Sequence, residues 1–319
     1  RLPDNYLRAL VRGIDIEPEW LLGSHIMPMQ GKERIRESVE RYRDATQYLW
    51  DQSIRLINKG YTPIELQHAL KDLPEHFIEP PYSVPMYGTP ITTVPEFFTG
   101  WVSWFDGDAT NLFETEPRAK AERFVELMGG TDTVLSEAKS AHANGDHQFA
   151  AELAQLVVRA QPDLDDARLV KAASLRALGY QQLNPIVRSW YLTGALELEG
   201  KIDPNAILGA MLPMLATPGS ARETINGWRY QLDASAAGET ELIVGIRLAD
   251  TGEEATAHLR NSVLIIEDGI ADNADAVVEL TAAELSALDA TAVRTLSGDS
   301  GAFGELLAYL DTEIKGFYM

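Results

Sequence analysis

The side chains best suited to metal or acid–base chemistry in this sequence are six histidines, at positions 25, 68, 76, 142, 147 and 258. Cysteine is absent, which excludes disulfides, thiolate zinc sites and a cysteine nucleophile. His25 ends a short apolar run, Glu19-Trp20-Leu21-Leu22-Gly23-Ser24-His25. The run reads as a buried strand feeding a Gly-Ser-His turn. A strand-to-loop position can aim a neutral imidazole into a cleft at the edge of a sheet. By spacing alone, a single histidine is more often structural. His142 and His147 flank Asn144-Gly145-Asp146. That pattern reads first as a solvated turn between helices, with metal binding as the other reading.

The elements that must position these groups follow from composition and periodicity. A chain of 319 residues is comfortable for two or three domains. With 45% hydrophobic and 24% charged residues, each domain can bury a core without staples. The net charge of −21 argues against a nucleic-acid footprint, which needs clustered cations. It also gives no attraction to an anionic membrane. No apolar run approaches the ~18 residues needed to cross a bilayer. The sequence starts at Arg1 without a visible signal peptide, and is compatible with a periplasmic, secreted or cytoplasmic location.

Residues 1 to 31 read as the end of a domain whose sheet partners lie outside this chain or far along it, because a lone strand makes no sheet. Ile35, Val39, Tyr42, Leu49, Ile54 and Ile57 keep helical spacing as far as Asn58, and Lys59-Gly60 ends that helix. Thr62-Pro63-Ile64-Glu65 opens another with a capping box. The proline- and aromatic-rich residues 74 to 95 read as an ordered but irregular connection. Helical pattern is expected again near Glu96, with a break at Asp106-Gly107 and a restart around Pro117. Trp104, Asp106 and Asn111 fit side-chain capping at that break. Asn144-Gly145, Gln161-Pro162, Gly179 and Gly200 punctuate four successive helices, resembling about two tetratricopeptide-like hairpins. Arg188, Trp190 and Tyr191 read as packing or dimer contacts there. Beyond Pro204, an apolar helix over Asn205 to Leu215 precedes four strand-like runs, Trp228 to Asp233, Glu241 to Leu248, Thr256 to Leu259 and Ser262 to Ile266. Asp250-Thr251-Gly252 makes a hairpin turn. A strand over Ala276 to Leu280, a capped helix over Thr281 to Leu288 and a final helix over Ala302 to Thr312 complete an α+β domain. Its expected form is an antiparallel sheet with helices on one face. Trp228, Phe303, Phe317 and Tyr318 fit a filled core as well as a tunnel wall.

One family accounts for these residues in order. Leu21-Leu22-Gly23-Ser24-His25, with Pro28 and Gly31, resembles the last metal-binding loop of the alkyl sulfatases of the metallo-β-lactamase superfamily. Asp51-Gln52-Ser53, Arg55-Leu56, Asn58 and Gly60-Tyr61-Thr62-Pro63 resemble the helix that follows. Tyr87-Gly88-Thr89, Trp104-Phe105-Asp106-Gly107, Asn111-Leu112, Glu126-Leu127-Met128-Gly129-Gly130, Leu178-Gly179-Tyr180 and Tyr191-Leu192-Thr193-Gly194-Ala195 continue the series. Arg260-Asn261, Leu264 and Gly298-Asp299 resemble the family's sterol-carrier-like C-terminal domain. Each match is weak alone and the ordered series is specific.

The resemblance implies a bacterial, zinc-dependent hydrolase of sulfate esters of amphiphilic alcohols, acting as a homodimer. Its implied architecture is multidomain. Residues 1–45 would be the end of a metallo-β-lactamase α/β catalytic domain, 46–202 an all-α dimerisation domain, and 203–319 an α+β sterol-carrier-like domain. The family's His-x-His-x-Asp-His motif is absent, as are the two carboxylate ligands expected upstream of the Gly-Ser-His loop. An N-terminal catalytic portion, in the same or a companion chain, would have to supply them. The resemblance makes His25 a ligand of one of two zinc ions and places Tyr87, Thr92 and Thr93 in the substrate pocket. The other reading of Tyr87 is packing in a proline-rich connection. Thr92 and Thr93 stand where family members place a His-Asn pair. Threonine hydroxyls can donate to an oxyanion but cannot serve as a general acid near neutral pH. That departure keeps two alternatives in view, a metallo-β-lactamase-fold hydrolase of a non-sulfate ester and a non-catalytic hydrophobe-binding dimerisation module.

Overall fold

A computed structural model describes residues 3–23, 25, 27–78, 84–203, 206, 220–288, 291 and 293–311. The chain divides into two compact units, residues 1–201 and 202–317.

The first unit is helical. Helix α1 (Pro3–Asp15) was not expected from the sequence; its ties include a Tyr6–Tyr42 hydroxyl bond of 3.0 Å. The stretch expected to be a buried strand is instead a two-residue strand, β1 (Trp20–Leu21), with Trp20 and Leu22 exposed. The partner it has in this chain is close in sequence. It pairs antiparallel with β2 (Met29–Gln30), and Gly31 closes the hairpin by donating to the Glu19 carbonyl. Helix α2 (Lys32–Ile57) runs unbroken through residues 45 and 46 and ends at Asn58, as its periodicity predicts. Helix α3 (Pro63–Ala69) has the expected Thr62–Glu65 capping box.

The proline-rich connection is more ordered than expected. It contains the short α4 (Glu75–Ile78), and α5 (Pro90–Trp101) begins at Pro90 rather than near Glu96. Pro90 suits the first turn, where an N–H would lack a helical partner. Pro95 lies inside the helix and cannot donate to the Ile91 carbonyl. The Gln67 side chain of α3 donates to that carbonyl instead, at 2.9 Å. Val94, Phe97 and Phe98 face inward with Trp50 and Leu66, and Trp50 meets the Phe97 and Trp101 rings edge-on. The break after α5 is a closed capping loop. Asp106 accepts from the Asp108 amide and the Asn111 side chain, and Asp108 accepts from the Thr110 amide.

Helices α6 (Pro117–Leu127), α7 (Thr131–Ala143), α8 (His147–Ala160), α9 (Asp165–Gln181) and α10 (Pro185–Leu198) follow. Alanines 121, 138, 154, 160 and 167 are buried at their contacts, which lets the backbones approach closely. Gly179 does not end α9, as expected, but lies within it. A Cβ there would stand 3.0–3.1 Å from Leu192 and Tyr191 of α10, so the glycine is a contact point between two helices.

Lys171 of α9 is 7% exposed. Burial pushes its pKa down to about 8, Arg159 of α8 repels it further, and Glu197 of α10 acts against both. Between pH 8 and 10 the unfolded lysine keeps its proton while the folded one releases it, so stability rises with pH. The full drop from lysine's usual 10.5 corresponds to about 3 kcal/mol. Half-buried Tyr191, whose pKa is raised by desolvation, works the other way at higher pH, because the unfolded phenol ionises before the folded one, so stability passes through a maximum. Denaturant titrations of the helical unit should show this maximum, and Lys171→Met should remove the rising limb.

In the second unit, the expected apolar helix over Asn205 to Leu215 lies outside the described residues, apart from Ala206. The expected strand over Trp228 to Asp233 is the end of α11 (Ala221–Trp228) and a turn, with a single bridge from Leu232 to Leu310. The Ser220–Glu223 capping box commits the chain to helix there. After α12 (Ala234–Ala237) come β3 (Leu242–Leu248), β4 (Glu254–Arg260), β5 (Val263–Asp268), β6 (Ala276–Leu280) and β7 (Arg294–Gly298). Helix α13 (Ala282–Ala287) has a Thr281–Glu284 capping box, and the last helix among the described residues, α14 (Ala302–Ala308), ends short of Thr312. The strand order is β5-β4-β3-β6-β7. The sheet is mixed rather than antiparallel, because β3 and β6 run parallel. One face, carrying Leu242, Val244, Ile246 and Leu248, packs on Ile225, Trp228, Leu285, Phe303 and Leu306. The other is crossed by the segment after β5, where the Thr256 hydroxyl donates to the Gly269 carbonyl and accepts from the Ala271 amide.

Candidate functional site

The two-stranded hairpin presents His25 on its connecting loop, next to Ser24 and Ile26, which lie outside the described residues. His25 is exposed, and its ring stacks on Tyr87 with centroids 4.7 Å apart and planes at 17°. Two of the expected site residues, 62 positions apart, are thus brought together. Stacking uses the faces of the imidazole, whereas metal ligation and hydrogen bonding use the lone pair or N–H in the ring plane. The contact therefore orients His25 without occupying its nitrogens.

Tyr87 is 62% exposed and sits on the loop that leads into α5. The loop's fixed point is Asn184, just before α10, which is 7% exposed. Its Nδ2 donates to the carbonyls of Pro85 (2.7 Å) and Tyr87 (3.1 Å). Its Oδ1 accepts from the amides of Ile186 and Val187, capping α10. Sequence reasoning did not single out Asn184. The Asn184-Pro185 pair signals a helix start, but nothing local shows the second pair of bonds, 97 and 99 residues away.

Thr92 and Thr93 lie in the first turns of α5, both half-buried. The Thr92 hydroxyl donates to the Thr89 carbonyl at 3.1 Å, which leaves it an acceptor. Among the described residues, no hydrogen bond or ring contact joins either threonine to His25 or Tyr87. His142 and His147 lie 4.8 Å apart beside the α7–α8 turn. The Ser174 hydroxyl donates to the Val170 carbonyl, so it accepts from His142 Nδ1 at 3.0 Å, which fixes that tautomer. Arg188 lies 5.5 Å from the Tyr180 ring centroid, a contact within the helical unit.

Among the described residues, no group of three or more His, Asp or Glu side chains is placed to hold a metal ion. His25 has the chemistry and the free ring edge of a single ligand. The described residues do not by themselves make up a dinuclear zinc site. No described helix is long and apolar enough to cross a membrane.

Residues 62–201 match the family described as alkyl sulfatase dimerisation, and residues 224–318 the family described as alkyl sulfatase C-terminal. Two linear primary-alkylsulfatases of Pseudomonas sp. are 37% and 31% identical, over 77% and 96% of this chain. The matches cover 48% and 47% of those proteins, so the chain spans about half the length of the curated relatives it matches. The solved structure of a stereoselective inverting sec-alkylsulfatase from Pseudomonas sp. superimposes with a TM-score of 0.80 at 27% identity. That match covers 97% of this chain and 50% of the other. With the dimerisation and C-terminal domains in order along it, the chain belongs to the alkyl sulfatase family.

Proposed function

We propose that the complete protein hydrolyses sulfate esters of amphiphilic alcohols, and that this chain contributes His25 and the pocket wall around Tyr87. The observation that carries the reading is the His25–Tyr87 stack. It gathers, from distant parts of the sequence, a metal-ligand candidate and a pocket candidate. Residues 1–45 are read as the end of a metallo-β-lactamase-like catalytic domain, 46–202 as the dimerisation domain and 203–319 as a sterol-carrier-like domain. The remaining zinc ligands then come from an N-terminal portion, in the same or a companion chain. The two zinc ions would supply Lewis acidity. Tyr87 would donate a hydrogen bond from its phenolic O–H to a sulfate oxygen, where negative charge must be held as the ester breaks. Thr92 and Thr93 would line the same wall, with the Thr92 hydroxyl turning from Thr89 to reach a ligand.

A homodimer is supported by apolar side chains exposed within the matched dimerisation residues, among them Trp104, Phe113 (96% exposed), Leu127, Leu183 and Trp190. In the C-terminal unit the sheet order, with helices on one face, supports the sterol-carrier-like reading. Thr92 and Thr93, in place of His-Asn, favour a second reading in which the ester is not a sulfate. Steady-state assays of the complete protein on linear alkyl sulfates and on the matching carboxylic esters separate the two. Tyr87→Phe should lower sulfate-ester kcat by about a hundredfold, the typical cost of one oxyanion donor. Unchanged turnover would remove Tyr87 from the pocket.

A further inference from the structure

We propose that Asn184 is the positioning residue of the Tyr87 loop, so that the first turn of α10 sets where the pocket wall stands. The proposal rests on the reading of Tyr87 given above. The Asn184 amide is planar, and its oxygen half is fixed by two α10 amides. That fixes the direction of the nitrogen half, whose two N–H groups reach the carbonyls on either side of Met86. Met86, Tyr87 and Gly88 are themselves exposed, so burial of their side chains does not hold the loop. The buried member of the arrangement is Asn184. Without it, two carbonyls lose charge-free donors that water would have to replace, and the Tyr87 ring loses its fixed height against His25. The wall of the pocket is thereby tied to a helix within the residues that match the dimerisation family.

Two substitutions separate the clamp from the cap. Asn184→Asp keeps a capping oxygen but turns a carboxylate oxygen toward the two carbonyls. Asn184→Ser also caps well but is too short to bridge to the loop. The first readout is the cross-relaxation between His25 and Tyr87 ring protons in the ring-labelled 319-residue chain. Both variants should lose it while the α10 amides stay protected from hydrogen exchange. In the complete protein, kcat/KM for a linear alkyl sulfate should fall on the order of ten- to a hundredfold, the scale set by a misplaced positioning group. It should fall no further when the change is made in a Tyr87→Ala background, because the two residues act as one unit. Retention of the ring contact in either variant, with α10 intact, overturns the proposal whatever the turnover. Full turnover by Tyr87→Ala would instead overturn the functional role of Tyr87, and the ring contact would still decide the role of Asn184.

Discussion

Under the proposed two-zinc reading, His25→Ala in the complete protein should remove one zinc equivalent and reduce sulfate-ester turnover by more than the roughly 100-fold that loss of an outer-shell partner costs. The direction follows from where His25 stands. It is an exposed imidazole on a hairpin loop, stacked face-on against Tyr87 with its ring edge available. A side chain so exposed contributes little to the core, so the melting temperature of the metal-free protein should not move. Metal analysis after gel filtration checks the first expectation and alkyl sulfate turnover the second. Unchanged zinc in a folded His25→Ala protein would remove the residue from the ligand set. His25→Gln is a useful companion, because it preserves polarity and size but offers no imidazole nitrogen.

The largest stability effect is expected in the other unit, at Gly298. The residue has φ +80°, and a Cβ built there would lie 2.0 Å from the Asp275 carbonyl oxygen and 2.8 Å from the Ala276 Cα. Both are backbone atoms, so no flexible side chain can swing away. The same carbonyl accepts from the Asp299 amide at 2.9 Å, and the Asp275 carboxylate accepts from the Ile243 amide at 2.7 Å. Moving the Asp275 backbone would disturb the junction of β3, β6 and β7 together. Gly298→Ala combines a disfavoured φ with this clash, placing it among the exceptional substitutions that cost about 4 kcal/mol or more. Circular dichroism melting should show the C-terminal unit unfolding early, with the helical unit keeping its own transition. An unaltered melt would mean that β7 can separate from Asp275 at little cost.

Much of the fold was legible where local rules act alone. Capping residues announced α3 and α13, the Asp250-Thr251-Gly252 turn announced the β3–β4 hairpin, and helical spacing announced α2. The misses share a cause, which is that a partner distant in sequence changed the meaning of a local signal. Pro95 reads as a helix breaker, but Gln67 supplies the donor it lacks. Gly179 reads as a terminator, but its missing Cβ makes room for Leu192 and Tyr191. Trp20 to Leu22 reads as a buried strand, but the hairpin with Met29–Gln30 leaves it outside the core. The site follows the same rule. The histidine and the tyrosine were visible as residues, but their meeting was not, and Asn184 looked like a helix start and nothing more.

The parallel pairing of β3 with β6 also has a consequence in time. During synthesis β3, β4 and β5 emerge together and can pair at once, because they are joined by short antiparallel turns. One edge of β3 then stays open until residues 276–280 arrive. In that interval an apolar strand, Leu242 to Leu248, offers unpaired amides and carbonyls to any neighbouring chain. Helices α6 to α10 have no such interval, since they close against helices one or two places along the sequence. Aggregation of nascent chains should therefore begin in the C-terminal unit, and a translational pause between residues 268 and 276 should increase it.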